Sequence, residues 1–219
     1  MNKKELSLGK KLLFLLIPPH CAACNEAGYE RLCPVCREEL RETFAPRRVL
    51  CPGGNGFADE VIALFPYEGE ALKSLLYQWK WRDLPVLGEI FLPYLARRRL
   101  ASLLPRYIDR VTFVPRRRSD RRMYAMDQAE CLARLFAELR GLFFEPLLKR
   151  QGRPRPQKKL SAAKRRTNVA GTFVPLRAME GETVLLIDDI VTTGSSVSEC
   201  ARVLKRAGDQ RVVVLCLAH

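Results

Sequence analysis

Two adjacent carboxylates, Asp188 and Asp189, stand between an apolar run, Val184-Leu185-Leu186-Ile187, and a hydroxyl-rich turn, Thr192-Thr193-Gly194-Ser195-Ser196. That spacing suits the binding of a sugar phosphate. Backbone N–H groups of such a turn, and of a helix opening after it, converge on one point and favour an anion. Thr192, Thr193 and Ser195 add hydroxyl donors, and Gly194 lets the backbone come close. The carboxylates, about one sugar length behind, can accept bonds from ribose hydroxyls or hold a hydrated Mg²⁺. A buried run that ends in two carboxylates is costly unless a ligand or partner compensates them.

A second constellation is made of thiols. Cys21-Ala-Ala-Cys24 is followed, eight residues later, by Cys33-Pro-Val-Cys36. Two such knuckles present four thiolates to one tetrahedral Zn²⁺, and a closed set of four leaves no open position, so the expected role is structural. Residues 18–60 are rich in turn formers and poor in core residues, so a metal would stand in for a core. Cys51 opens Cys51-Pro-Gly-Gly without a partner cysteine; it either replaces a ligand or is left over. Cys131, Cys200 and Cys216 fall in apolar periodic segments and read as small core residues, in keeping with a reducing, cytoplasmic setting.

The elements that must position these groups follow from periodicity. The run at 184–187 predicts a strand buried on both faces of a parallel sheet. Ser196 with Glu199 reads as a capping box, opening a helix with Val197, Cys200, Ala201, Leu204 and Ala207 inward and Gly208 as its stop. Leu72, Leu75, Leu76 and Trp79 mark a helix over 69–81. Val111–Pro115 predicts the first strand of the main domain; Asp127–Leu139 predicts a helix with Leu132, Leu135, Phe136 and Leu139 inward; Thr172–Val174 and Arg211–Leu217 supply further strands. The expected architecture is α/β: a parallel sheet flanked by helices with a small zinc module at residues 1–60, the main domain at 61–219, and a helical connector at 61–105 within it.

Charge narrows the partners. The chain of 219 residues carries 38 Lys+Arg against 24 Asp+Glu, a formal net charge of +14 that favours polyanions such as nucleic acid or nucleotides, or an acidic membrane face. The densest basic stretch is 149–168, with Lys158, Lys159, Arg165 and Arg166, where Gly152, Pro154 and Pro156 predict a loop. Such a loop either closes over a phosphorylated ligand, tracks a nucleic-acid backbone, or is simply solvated. Arg116-Arg117-Arg118 follows the strand at 111–115, and guanidinium groups there match phosphate oxygens. Lys80, between Trp79 and Trp81, either snorkels or meets a phosphate or base, and Tyr77, Trp79 and Trp81 are candidates for stacking on single-stranded nucleic acid. Arg97-Arg98-Arg99 reads as the solvated end of a helix. The run Leu12–Ile17 is stopped by Pro18-Pro19 and reads as a short helix covering apolar surface; no stretch is long enough to span a bilayer.

The apolar strand, Asp188-Asp189 and Thr192-Thr193-Gly194 closely resemble the signature of type I phosphoribosyltransferases for 5-phosphoribosyl 1-pyrophosphate (PRPP). Over nearly its whole length the chain resembles the ComF family of competence proteins. The cysteine set, Asp188–Gly194, and Gln157-x-x-Leu160-Ser161-x-x-x-Arg165-x-x-Asn168 with Gly171 and Phe173 carry that resemblance, and Lys80 matches a lysine the family tends to have. The resemblance implies a type I phosphoribosyltransferase-like domain that binds PRPP with Mg²⁺. Asp188 and Asp189 would be its catalytic pair, meeting the ribose hydroxyls. Thr192, Thr193, Gly194, Ser195 and Ser196 would cradle the 5′-phosphate, with Arg116 on the pyrophosphate side. It also implies a cytoplasmic protein of DNA uptake and natural transformation, in contact with single-stranded DNA and other uptake proteins. An alternative is a zinc-organised single-stranded DNA-binding scaffold with an inert ligand site. Where the family has Arg-Gly-Phe-Asn-Gln-Ala, this chain reads Tyr124-Ala125-Met126-Asp127-Gln128-Ala129, without the arginine.

Overall fold

A computed structural model describes residues 18–50, 57–81, 85–116, 127–151 and 171–219, with side chains at 80–81 and 85–87 excepted. The expected helix at 12–17, Cys51, Arg117, Arg118, Tyr124, the side chains of Lys80 and Trp81, and the basic stretch with Gln157, Lys158, Lys159, Arg165, Arg166 and Asn168 lie outside the described residues. In chain order the elements are α1 (Pro34–Thr43), β1 (Arg47–Val49), β2 (Glu60–Phe65), α2 (Glu70–Trp81), α3 (Pro85–Leu95), α4 (Arg98–Ala101), β3 (Arg110–Phe113), α5 (Gln128–Arg140), β4 (Leu148–Arg150), β5 (Phe173–Pro175), β6 (Thr183–Ile190), α6 (Ser195–Ala207) and β7 (Arg211–Ala218).

The main sheet has the order β1-β2-β7-β6-β3, with β1 antiparallel to β2 and every other pair parallel. Its parallel strands β2, β3, β6 and β7 are largely β-branched and aliphatic runs, buried on both faces as a covered parallel sheet requires, whereas the antiparallel edge strand β1 is not buried. Val111, Phe113, Leu185, Ile187, Val213 and Leu215 point to one face, where α5 seats Leu132 and Phe136. Val184, Leu186, Val212 and Val214 point to the other, where α6 seats Val197, Cys200, Ala201 and Leu204.

The two helices therefore lead the chain in opposite directions. After α5, Phe144 makes a parallel bridge beside Val111, outside β3. After α6, the chain returns as β7 on the far side of β6. β3 and β6 end side by side and are followed by helices on opposite faces of the sheet, and the carboxyl ends of such strands are where open α/β sheets form their ligand crevice.

Several expectations change. The boundary at 60 falls inside the sheet, because β1 pairs with β2 and β2 pairs with β7. Among the described residues the stretch at 173–175 pairs with β4 and not with the main sheet. Leu139 is 41% exposed, not inward, because it lies in the last turn before the left-handed cap at Gly141. Trp79 is 2% exposed and stacked on Phe91 at 5.8 Å, so it belongs to the core and offers no face to a base; Tyr77 is exposed.

At the amino ends of β3 and β6, Arg177 forms paired hydrogen bonds to both Glu145 and Glu182, and these bonds hold the two carboxyls below the usual range. Asp209 lies behind this network, 6% exposed, and neither of its oxygens has a hydrogen-bond partner among the described residues. Burial, and then the charge of Glu182, pushes its pKa up to about 7, against a lowering by Arg177. The ordinary carboxylate value is about 4, so the folded state holds this proton more tightly than the unfolded chain. The resulting stability is full below about pH 4 and lost as pH rises through about 7. Urea unfolding should therefore show wild type losing on the order of 3 kcal/mol between pH 4 and pH 8 relative to Asp209→Asn, which cannot titrate. Parallel pH profiles for the two proteins would contradict this.

Candidate functional site

β6 does not stop before the carboxylates. It continues through Asp188 and Asp189 to Ile190, with Asp188 in register with the buried Cys216 of β7. Asp188 Oδ1 accepts the Asp189 N–H at 3.0 Å, and Asp189 Oδ1 accepts the Ile190 N–H at 2.9 Å. Protein packed around the Asp188 carboxyl, and then the charge of Asp189, push its pKa well above the ordinary value. Burial and the Asp188 charge likewise push the Cys216 thiol up.

The following loop is anchored at its base. Val191 N–H donates to Ala218 O at 3.0 Å, and Val191 O lies 2.8 Å from His219 Nδ1. Gly194 then takes φ 67°, a left-handed turn without a Cβ to obstruct it, and α6 begins at Ser195. The capping box expected at Ser196 and Glu199 does not form. No side chain caps the helix, and Glu199 instead binds Arg202 and accepts the Gly171 N–H at 2.7 Å. The glycine turn starts the helix early, and the first-turn N–H groups of Ser195, Ser196 and Val197 have no side-chain acceptor among the described residues. Asp188 and Ile190–Val197 surround a small cavity of about 50 Å³ at this point. The Thr193 and Ser195 hydroxyls lie 3.0 Å apart, and Thr192 and Thr193 are exposed beside it. Hydroxyls, backbone amides and the positive end of α6 are the groups that suit an anion.

Arg116 joins the other loop to this one. Its Nη2 lies 2.9 Å from Asp189 Oδ2, and its backbone N–H donates to Asp127 Oδ2 at 3.1 Å. Asp127 caps α5 through the N–H groups of Ala129 and Glu130. The structure thus brings Asp188, Asp189, Thr192, Thr193, Gly194, Ser195, Ser196 and Arg116 to one crevice. Asp127 is an addition to the sequence reading; its place before an apolar periodic run marks it as a helix cap, but not as the link to Arg116. Gln128 next to it donates to the carbonyl of Trp79, tying α5 to α2.

The sulfurs of Cys21, Cys24, Cys33 and Cys36 all lie within 4.8 Å of one another, with Cys24 and Cys33 3.7 Å apart. Tetrahedral Zn²⁺ with Zn–S bonds of about 2.3 Å separates its sulfurs by about 3.8 Å, so the four fit that ion. The Cys33 N–H points at Cys21 Sγ and the Cys36 N–H at Cys33 Sγ, favouring thiolates. Burial and the neighbouring sulfurs push the Cys36 thiol up, so four thiolates this close call for a cation.

No family model matches the chain. Competence protein ComFC of Streptococcus pneumoniae is 26% identical over 208 residues, which are 91% of this chain and 87% of that protein. DNA utilization protein YhgH of Salmonella typhimurium is 34% identical over 128 residues, 57% of this chain and 54% of that one. Among solved structures, glutamine phosphoribosylpyrophosphate amidotransferase from B. subtilis, complexed with ADP and GMP, is similar with a TM-score of 0.44 and 23% identity, over 64% of this chain and 30% of that one. No helix among the described residues is long and apolar enough to cross a membrane.

Proposed function

We propose, from the premise that this chain belongs to the ComF family, that it binds PRPP with Mg²⁺ at the ends of β3 and β6 and serves DNA uptake in that capacity. One observation carries the reading: Asp188 and Asp189 stand beside a glycine-turned helix start that no described side chain caps. The amides of that start, with Thr192, Thr193, Ser195 and Ser196, hold the 5′-phosphate. Asp188 and Asp189 accept the ribose hydroxyls and are the groups that would hold Mg²⁺. Bound there, Mg²⁺ would neutralise charge on the pyrophosphate. Arg116 already faces Asp189 and needs only to turn to meet an incoming phosphate, because its backbone is held separately by Asp127.

Binding without turnover is favoured by two features. The arginine of the family's Arg-Gly-Phe-Asn-Gln-Ala is Tyr124 here, which removes a cation from the pyrophosphate side. Neither histidine is placed to act as a general base: His20 is exposed in the cysteine module, and His219 is engaged at Val191. The test is calorimetry of wild-type protein with PRPP and Mg²⁺, alongside a pyrophosphate-release assay with a panel of nucleobases. The expected result is saturable binding with no base-dependent release. Absence of binding would overturn the reading, and release with one base would convert it into a transferase.

A further inference from the structure

A cavity of about 660 Å³ lies away from this crevice, between the cysteine module and the connector, lined by Arg41, Phe44, Tyr94, Arg97, Arg98 and Arg99. Arg41 comes from α1, Phe44 from the turn after it, Tyr94 from α3, and the three consecutive arginines from the start of α4. We infer that this is a binding site for the phosphodiester backbone of single-stranded nucleic acid.

The charge is concentrated and almost unopposed. Arg97, Arg98 and Arg99 are exposed and make no ion pair with any described residue. Arg41 has one ion-pair partner among the described residues, Glu38, at 3.5 Å, with both side chains more than half exposed, a contact of little strength. Four guanidiniums around one concavity repel each other unless an anion is shared among them. Arginine presents paired donors to phosphate, and several phosphates in sequence match several arginines better than one free ion does.

The lining selects a single strand. Phe44 is half-buried against Phe65 and Tyr94, with ring centres 5.5 and 5.1 Å away, so it is a fixed aromatic part of the wall that the arginines also line. A concave site with an aromatic wall admits a strand whose bases are free to turn inward, whereas a duplex presents a convex row of phosphates and keeps its bases stacked.

The site also explains why the cysteine module is where it is. Cys33 caps α1, Cys36 lies in its first turn, and Arg41 lies in its last. α1 is docked by Leu40, fully buried in the core shared with Phe65 and Leu72, and by Glu39 Oε1, which accepts the Ala71 N–H at 2.9 Å. Gly69 makes room for that carboxylate: a Cβ there would lie 2.5 Å from Glu39 Oε1. The metal knuckle thereby fixes one wall of the cavity.

This inference rests on the nucleic-acid part of the functional reading but not on its sugar-phosphate part. The test uses the zinc-loaded full chain and a fluorescent oligo(dT), followed by anisotropy across a salt series. Single-strand binding loses about 0.7 in the slope of log K against log salt for each phosphate contact removed. Arg97→Ala/Arg98→Ala/Arg99→Ala should lower the slope by about 2 and weaken binding at least tenfold at low salt. Arg97→Lys/Arg98→Lys/Arg99→Lys should keep most of the slope. A control, Lys205→Ala/Arg206→Ala on α6, should stay within about twofold of wild type. Circular dichroism and zinc content verify that each variant is folded. If the folded triple-alanine variant binds oligo(dT) like wild type, the site is not here, even if PRPP binding stands. Loss of binding equal to that of the control variant would reduce the effect to net charge and overturn the inference. So would binding of anionic vesicles but not oligo(dT) by wild type.

Discussion

Cys21→Ser combined with Cys24→Ser is expected to release the metal and lower the melting temperature of the whole chain by roughly 10–20 °C, equivalent to a loss of about 5 kcal/mol for a chain of this size. The wild-type protein should hold about one Zn²⁺ and the variant none. The effect should extend beyond the module because the cysteines share one core with the sheet. Cys21, Cys33 and Cys36 are buried among Leu40, Phe65, Leu72 and Trp79. The knuckle is also tied to α2, where Ser74 and Gln78 both donate to the carbonyl of Ala23. Structural zinc in small modules carries on the order of 10 kcal/mol or more of apparent folding energy, so losing it outweighs any single hydrogen bond at this interface. Metal analysis and a thermal melt read both consequences. Zinc retained by the double variant, or an unchanged melting temperature, would contradict the role assigned to the cysteines.

What was legible in the sequence was whatever a local pattern dictates. The buried stripe of α6, Val197, Cys200, Ala201 and Leu204, follows from helical spacing, and its stop at Gly208 from the left-handed turn glycine adopts there. The four cysteines converge because the spacing of short knuckles fixes them. β2 was hidden because Val61–Phe65 is a short apolar run that becomes a strand only by pairing with β7, some 150 residues later in the chain. The same pairing draws β1 into the main sheet and erases the boundary at 60.

The site shows the same division. The Asp188–Ser196 stretch is contiguous, so its residues arrive together whatever the rest of the chain does. The link from Arg116 to Asp189 spans 73 residues and depends on β3 and β6 being neighbours, which no local pattern states. The misplaced cap at Ser196 has a physical reason: the pattern of Ser196 and Glu199 is valid, but Gly194 reaches the turn at lower cost and Arg202 claims the glutamate. Trp79, a candidate for stacking in the sequence, is 2% exposed and has no face for a base, because its place in the helical apolar stripe turns it into the core. The arginine cavity was hidden because it is assembled from three elements.

The central claim is that Asp188 and Asp189 hold the sugar of a phosphorylated ligand, and their replacement by asparagine isolates it. In the free protein the two carboxylates oppose each other. Asp189 is offset by Arg116 at 2.9 Å, while Asp188 is held toward its protonated form by its surroundings and its neighbour. Asp188→Asn removes an unfavourable charge, Asp189→Asn removes a partly exposed ion pair worth about 1 kcal/mol at most, and the free double variant should melt within a few degrees of wild type. Its response to ligand should change altogether. A ligand at a hundred times its Kd stabilises by about 2.7 kcal/mol, or roughly 5–10 °C in a chain of this size. Because a cation needs Asp188 ionised, wild-type affinity should also rise with pH through the raised pKa of that carboxyl. The deciding measurement is a thermal-shift titration of wild type and Asp188→Asn/Asp189→Asn with PRPP and Mg²⁺. The prediction is a saturable rise for wild type and none for the variant; a full wild-type shift in the variant would place the ligand elsewhere and contradict the account.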